Sequence, residues 1–263
     1  ASGVVATAPG APSTSGAPSA SGAPSASGSP PASSVTPASS VAPAPSASRA
    51  APSVFMDDVD FSDCHASGSP TASNPPVPVG VGGALGIHLG DPASGARVEL
   101  FRLSVSSSSA VCSNVGTPSY VCGTGGAFFL LADGDLESST VRIGTSSFTD
   151  CSAGSISGGS VGGGAVGIVV RGILNSTTTV IDRCSFTNCS CNGFSCAGGA
   201  VLSHLGASLG GSSLVTRSSF TGCSSHGNGG ALALYVDDDT VMDWRLESSS
   251  FSGCSCSDSG CAG

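Results

Sequence analysis

Lysine and glutamine are absent from the sequence, and only 10% of its 263 residues are charged. The eight basic side chains are all arginines scattered along the chain, and the net charge is -9. Nucleic acid and anionic lipid are bound by clustered cations, so we expect neither as a partner. The longest apolar run, at 163–170, is glycine-rich and is followed by Arg171, so no membrane span is expected in this chain.

The two ends of the chain lack the features of a complete protein. The sequence has neither a starting methionine nor a charged leader segment, and it stops at CAG, inside what the repeats below predict to be another strand. We therefore expect a fragment or a processed piece of a longer protein, truncated at the C-terminus.

Residues 1–53 contain no cysteine and no aromatic residue, and Arg49 is the only charge among them. Hexads of the type GAPSAS run in tandem from Gly10. Such a segment cannot bury enough apolar surface to offset its chain entropy. We predict a disordered linker over 1–53, with an O-glycosylated stalk as the alternative, and a folded repeat region over 54–263.

A two-part motif recurs through the folded region. A Phe-x-x-Cys sequence is followed, after a loop of small residues, by Gly-Gly-Ala and an alternating apolar run, as in FTNCSCNGFSCAGGAVLSHL from Phe186. We place a divergent copy at Ser109–Cys112 (SAVC), where serine replaces the phenylalanine. Self-similarity at a period of a few tens of residues indicates a stacked repeat protein.

The apolar runs predict strands. After each Gly-Gly-Ala, apolar residues alternate with period two, as in LGIHL from Leu85 and VGIVV from Val166. A second strand is predicted before each Phe motif, as in TVRIG from Thr140. No segment has a helical period with a cap, so we predict almost no helix.

Two architectures fit these strands: an antiparallel sandwich or barrel, and a parallel β-helix. Only the β-helix favours the same residue at equivalent positions, because successive coils stack side chains about 4.8 Å apart. We predict an all-β, right-handed parallel β-helix, or solenoid, over 54–263. It should contain two ladders, namely Phe61, Phe148, Phe186, Phe220 and Phe251, and Cys64, Cys112, Cys151, Cys189, Cys223 and Cys254.

The combination of Gly-Gly-Ala-aliphatic and Phe-x-x-Cys resembles the repeats of the chlamydial polymorphic outer-membrane proteins and related surface proteins of microbial eukaryotes. Their second motif is Phe-x-x-Asn, and cysteine replaces the asparagine here, as at Cys151. The resemblance covers about residues 54–263. It implies a surface-displayed β-helix of the pectate-lyase-like fold with adhesive or structural duties.

Twelve cysteines favour an oxidising compartment. In the loops CNGFSC and CSDSGC, we predict the disulfides Cys191–Cys196 and Cys256–Cys261. The ladder cysteines should be free buried thiols, because a relaxed disulfide needs closer Cβ atoms than stacked coils provide. Cys-x-Cys is not the usual zinc spacing, so we expect neither a metal site nor a cofactor.

The acids and histidines form no expected catalytic group. Asp133 and Asp135 match Asp237–Asp239 in repeat position, but three coils, or about 14 Å, separate them, farther than paired glycosidase carboxyls. Turn residues are the simpler interpretation of both sets. His88 and His204 share an outward column but are equally far apart.

That outward column also holds Leu131, Val169 and Tyr235, which form either a binding face or a stripe covered by loops. Asn175, in NST, is a candidate glycosylation site, whereas Asn188 is expected to be too crowded. We expect a non-enzymatic secreted or cell-surface protein, an adhesin or scaffold whose partner is a glycan or an extracellular protein. The alternative is a polysaccharide lyase or hydrolase.

Overall fold

We describe the chain from a computed structural model, which defines residues 5–6, 51–68, 79–90, 92–112, 122–155, 160–193, 196–236 and 241–257. This part of the chain is all-β and contains no helix. It forms five sheets in which every strand pair is parallel, and each strand pairs with its equivalent one repeat away. The arrangement is that of a parallel β-solenoid, and we call one repeat a rung.

Sheets 1 and 2 contain the strands that the sequence predicted. Sheet 1 follows the Gly-Gly-Ala motifs and comprises Leu85–Leu89, Phe128–Ala132, Val166–Val170, Val201–Leu205 and Leu232–Val236, with Val5–Ala6 beside the last. Sheet 2 contains the strands before the Phe motifs, Ser53–Asp57, Arg97–Phe101, Thr140–Gly144, Thr178–Asp182, Ser208–Thr216 and Val241–Glu247, and the short strands Ala93–Ser94, Leu136–Glu137 and Leu174–Asn175.

Three further sheets have short strands. Sheet 3 carries the Phe motifs, at Asp60–Ser62, Ser104–Ser106, Ser147–Thr149, Ser185–Thr187, Ser219–Thr221 and Ser250–Ser252. Sheet 4 comprises His65–Gly68, Ser109–Cys112, Ser152–Ser155, Ser190–Asn192, Ser224–Ser225 and Ser255–Cys256. Sheet 5 comprises Val79–Gly82, Cys122–Gly125 and Ser160–Gly163.

The phenylalanine ladder lies in the core. The rings of Phe148, Phe186, Phe220 and Phe251 stack with centroids 5.0, 4.8 and 4.7 Å apart and planes within 7° of parallel. The first three are fully buried, and they pack with the inward residues of sheets 1 and 2. Each ring therefore contacts the equivalent ring of the next rung, as the repeat predicted.

The second copy of the motif was assigned wrongly. Phe61 and Phe148 are both in register with Val105, so the second unit is Val105–Ser108 and Ser109 belongs to sheet 4. Val105 supplies an apolar side chain of smaller volume, and it separates Phe61 from the stacked rings. The assignment to SAVC was based on its cysteine. The ladder position of each rung instead requires a buried apolar side chain, which Val105 supplies.

Two kinds of residue form the corners of the solenoid that are described next. One corner is the Gly-Gly pair, where a Cβ on Gly164 would lie 1.8 Å from the carbonyl oxygen of Gly199 in the next rung. Glycine is required there because the backbones touch. A second corner, after each strand of sheet 2, uses one residue with positive φ, among them Arg102, Thr145, Arg183 and Arg217.

The N-terminal segment divides into two parts. Val5–Ala6 pairs in parallel with Leu232–Val236, a strand that the sequence did not predict. The unit Pro9–Ala50 lies outside the described residues, and the expected linker over 1–53 is therefore an untested prediction.

Candidate functional site

The outer face of sheet 3 is lined by hydroxyl groups. On either side of each inward Phe, the strands present serine or threonine, and parallel pairing aligns these side chains from rung to rung. The two columns are exposed or half-buried and comprise Ser104, Ser147, Ser185, Ser219 and Ser250, and Ser62, Ser106, Thr149, Thr187, Thr221 and Ser252. Asp60 is the one charged residue in register with them.

One carboxylate at the end of sheet 1 joins three rungs. Asp133 Oδ2 lies 2.7 Å from His88 Nε2, and Arg171 Nη1 donates to Asp133 Oδ1 at 3.2 Å. The His88 side chain is 48% exposed. No common role for His88 and Asp133 was predicted from the sequence, because 45 residues separate them. Stacking of adjacent rungs brings them together.

A second carboxylate, Asp182, is buried and bound by three arginines. Arg217 Nη2 and Nε lie 2.7 and 2.9 Å from Asp182 Oδ1, Arg183 Nε lies 3.2 Å from Oδ2, and Arg142 Nη2 lies 3.7 Å from Oδ2. Asp182 is 2% exposed. Three guanidinium groups around one carboxylate leave a local excess of two positive charges.

Sequence reasoning missed this cluster, because arginines 34 to 41 residues apart look scattered. The signal is in the repeat alignment: Arg102, Arg183 and Arg217 each stand three residues before the ladder residue of their rung, at Val105, Phe186 and Phe220. Because the second unit was assigned to Ser109, Arg102 was not aligned with Arg183 and Arg217.

The other acids and histidines considered from the sequence do not form a common group within the described residues. Asp135 accepts a hydrogen bond from the backbone N–H of Ile173 and so holds a turn, as expected for a turn residue. Asp237–Asp239 lie outside the described residues. His88 and His204 do share a column, with Leu131 and Val169 between them.

The outward apolar stripe is covered for much of its length. Leu131 and Val169 are each 2% exposed, and they cluster with the equally buried Phe129. Tyr235 is half-buried at the end of the column. A free apolar binding face is therefore not present at these residues, and the covered alternative applies.

The cysteine ladder is present with one exception. Cys151, Cys189 and Cys223 are free and buried, Cys64 is free and half-buried, and Cys254 is half-buried at the next position of the ladder. Cys112 was assigned to this ladder wrongly. It pairs in sheet 4 with Ser155 and Gly68, and Ser108 takes the ladder position in its rung.

The thiols of Cys184 and Cys189 are held in the protonated form. Cys189 Sγ lies 3.6 Å from the Phe148 carbonyl oxygen, and hydrogen bonding by neighbouring thiols together with burial raises the pKa of Cys189 far above its usual value. Cys184 lies outside the ladder, and burial raises its pKa to about 12. Thiols of this kind act as small apolar side chains, because the thiolate is the reactive form.

One predicted disulfide is formed within the described residues. Cys191 and Cys196 are joined with Cα atoms 5.4 Å apart. Cys256 is disulfide-bonded, and its predicted partner, Cys261, lies outside the described residues. Residues 191 and 196 close a short loop between sheet 4 and the following Gly-Gly-Ala corner.

Both glycosylation sequons are at the surface. Asn175 is exposed in a short strand of sheet 2, as a modification site requires. Asn188 is exposed as well, at a positive-φ corner, so the expectation that it would be crowded was wrong. Its side-chain amide donates to Asp150 Oδ1 at 3.2 Å.

A small cavity lies inside the solenoid between sheets 1 and 2. Its lining includes Ile168, Val201, Leu232 and Trp244. The hydroxyl of Ser203 also faces it and has no hydrogen-bond partner. The cavity belongs to the core, and it offers no groove for a polymer.

Within the ranges given above, no three His, Cys, Asp or Glu side chains are grouped to hold a metal ion. The same ranges hold no helix long and apolar enough to cross a membrane. The resemblance to polymorphic outer-membrane protein repeats stays a prediction. No family model, no curated protein sequence and no solved structure matches the chain.

Proposed function

We propose that this chain is a non-enzymatic, secreted or cell-surface adhesin or extracellular scaffold. The hydroxyl columns of sheet 3 support the proposal most directly. They form a regular polar surface about 4.8 Å from rung to rung, and no titratable side chain lies between Ser104 and Ser250 in either column. Such a surface can hydrogen-bond a repetitive partner, and between Ser104 and Ser250 its columns carry no acid or base that could activate a hydroxyl.

The fold and location belong to the same proposal. We infer that the solenoid is a right-handed parallel β-helix, because parallel crossover connections are nearly always right-handed. The disulfide between Cys191 and Cys196 supports an oxidising compartment. The likeness to surface-protein repeats supports display outside the cell, with residues 1–53 as a linker.

Binding arrays test the proposal. The purified chain is applied to arrays of glycans and extracellular matrix proteins, beside a variant in which Thr149, Thr187 and Thr221 are each replaced by glutamate. A matched control carries three glutamates in place of Ser138, Asn175 and Ser176, at exposed positions of another sheet edge. We expect a binding signal that the sheet 3 variant loses and the control keeps. Equal binding by both variants would contradict the assignment to sheet 3.

A polysaccharide-active enzyme is the second candidate, and one observation favours it. His88, Asp133 and Arg171 bring a base, an acid and a cation together from three adjacent rungs. Glycoside hydrolysis needs two carboxyl groups, and Asp133 is engaged by both neighbours. We therefore expect no new reducing ends or unsaturated uronates after incubation with polygalacturonate or alginate. Product that disappears in Asp133→Asn would establish the enzyme instead.

A further inference from the structure

The geometry points to an anion-binding site at Arg142, Arg183 and Arg217, which we call the arginine corner, and to a carboxylate or sulfate group of an acidic polysaccharide as its ligand. This inference rests on the proposed function, since it names the chemical class of glycan that the adhesin would hold. The site lies at the corner between sheets 2 and 3, where Arg183 and Arg217 come two residues before Ser185 and Ser219 of the hydroxyl columns.

The buried Asp182 makes the corner a built site. Its two oxygens accept from Arg183 and Arg217, and a buried carboxylate of this kind fixes the guanidinium groups that surround it. Arg142 is held further by its guanidinium carbon, which lies 5.2 Å from the centroid of the Phe101 ring. The donors are therefore ordered before any ligand arrives, which lowers the entropy lost on binding.

Donors and charge are left over for a ligand. A guanidinium has five N–H donors, and Asp182 occupies only part of this set. The side chains of Arg142, Arg183 and Arg217 are 41%, 56% and 55% exposed. Planar guanidinium groups match carboxylate and sulfate oxygens, often with two parallel hydrogen bonds.

Neighbouring charges focus the positive excess on this corner. Arg102, in the same corner column, is paired with Asp57, and Glu99, in register with Arg142, is paired with Arg97. Glu247, one rung beyond Thr216, is the acid on the other side. With a net charge of -9, the rest of the chain repels a polyanion, so binding depends on a few contacts at one place.

An acidic polysaccharide fits these limits better than nucleic acid. Duplex binding typically neutralises about 6–10 phosphates, and the local excess here is only two charges. A saccharide carries one carboxylate or sulfate per sugar and adds hydroxyls for neutral contacts. Thr145, between Arg102 and Arg183 in the column, and the exposed Ser248 beyond Arg217 can accept such contacts.

Binding of the full chain to polygalacturonate and to dextran sulfate, with neutral dextran as the blank, tests the inference. Arg183→Thr and Arg217→Ser introduce residues that the same corner accepts at Thr145 and Ser248. We expect each to weaken binding about tenfold, the loss of one charge-assisted hydrogen bond. The control Arg245→Ser removes an equal charge from an arginine paired within its own strand, and we expect a change of less than about twofold.

Asp182→Asn separates binding from folding. Asparagine keeps one side-chain oxygen that can accept from Arg217, so this donor stays ordered while the competing negative charge is removed, and an anion site predicts stronger binding even where the variant is less stable. Weaker or unchanged binding by Asp182→Asn, or equal effects of Arg217→Ser and Arg245→Ser, overturns the arginine corner and leaves the hydroxyl columns as the adhesive surface. Absence of binding to both acidic polymers also overturns it. Competition by inorganic sulfate identifies the group: full release of both polymers indicates recognition of the anion, and no release contradicts the assignment.

Discussion

Replacing Phe186 by alanine removes the centre of the ring ladder. The ring is fully buried and stacks on Phe148 and Phe220 at 5.0 and 4.8 Å. A buried Phe→Ala change costs about 3–5 kcal/mol, and each stacked pair contributes about 0.5–1.5 kcal/mol. We therefore expect Phe186→Ala to lower the free energy of unfolding by about 4–5 kcal/mol, at the upper end of that range.

Two further Phe→Ala variants, at less buried positions, provide a scale for the loss of stability expected for Phe186→Ala. Phe251 is half-buried and stacks on one ring, so Phe251→Ala should cost about 1–2 kcal/mol. Phe55 is 65% exposed, and Phe55→Ala should cost less than about 0.5 kcal/mol. Urea denaturation followed by far-UV circular dichroism measures all three. If Phe186→Ala and Phe251→Ala differ by less than about 1 kcal/mol, the reasoning from stacked rungs is refuted.

Three further predictions concern cysteine and glycine. Because the pKa of Cys184 is raised to about 12, the folded state keeps a proton that the unfolded state loses above about pH 9. The contribution of this thiol to stability is complete below about pH 9 and falls by about 1.4 kcal/mol per pH unit above it, so Cys184→Ser should lessen the alkaline slope by that amount in urea titrations at successive pH values. A variant with the same alkaline slope as the parent would exclude Cys184 as its source. Cys191→Ala should lower stability by about 2 kcal/mol, and reduction should then lower the stability of this variant by about 2 kcal/mol less than that of the parent. Gly164→Ala should prevent folding or cost more than about 3 kcal/mol, whereas Gly86→Ala, whose Cβ would meet nothing closer than 3.6 Å, should fold. Comparable circular dichroism and melting curves for the two glycine variants would contradict the close contact between rungs.

The sequence predicted sheets 1 and 2 because their strands are long enough to show an alternating apolar face. Sheets 3, 4 and 5 were not predicted as sheets, since strands such as Ser147–Thr149 are too short and too polar to show a period. Repetition of Phe-x-x-Cys still placed the ladder residues correctly in five rungs. It failed where Val105 and Ser108 replace both marker residues.

The candidate sites were harder to predict than the fold. A solenoid places residues about 40 positions apart in contact, so His88 with Asp133, and Asp182 with Arg217, are pairs that no local motif reveals. Such pairs can be predicted only when the register between rungs is known. An error of a few residues in one unit, as at Ser109, assigns every residue of that unit to the wrong column. The burial of Leu131 and Val169 depends on packing against the outer face of sheet 1, which the repeat does not encode.

Ring-to-ring nuclear Overhauser effects in a sample labelled only at phenylalanine test parallel, in-register stacking most directly. Single Phe→Leu variants assign the signals. The account predicts a chain of contacts from Phe148 through Phe186 and Phe220 to Phe251, with Phe61 outside it because Val105 intervenes. Isolated Phe148, Phe186 and Phe220 signals without mutual contacts would contradict it.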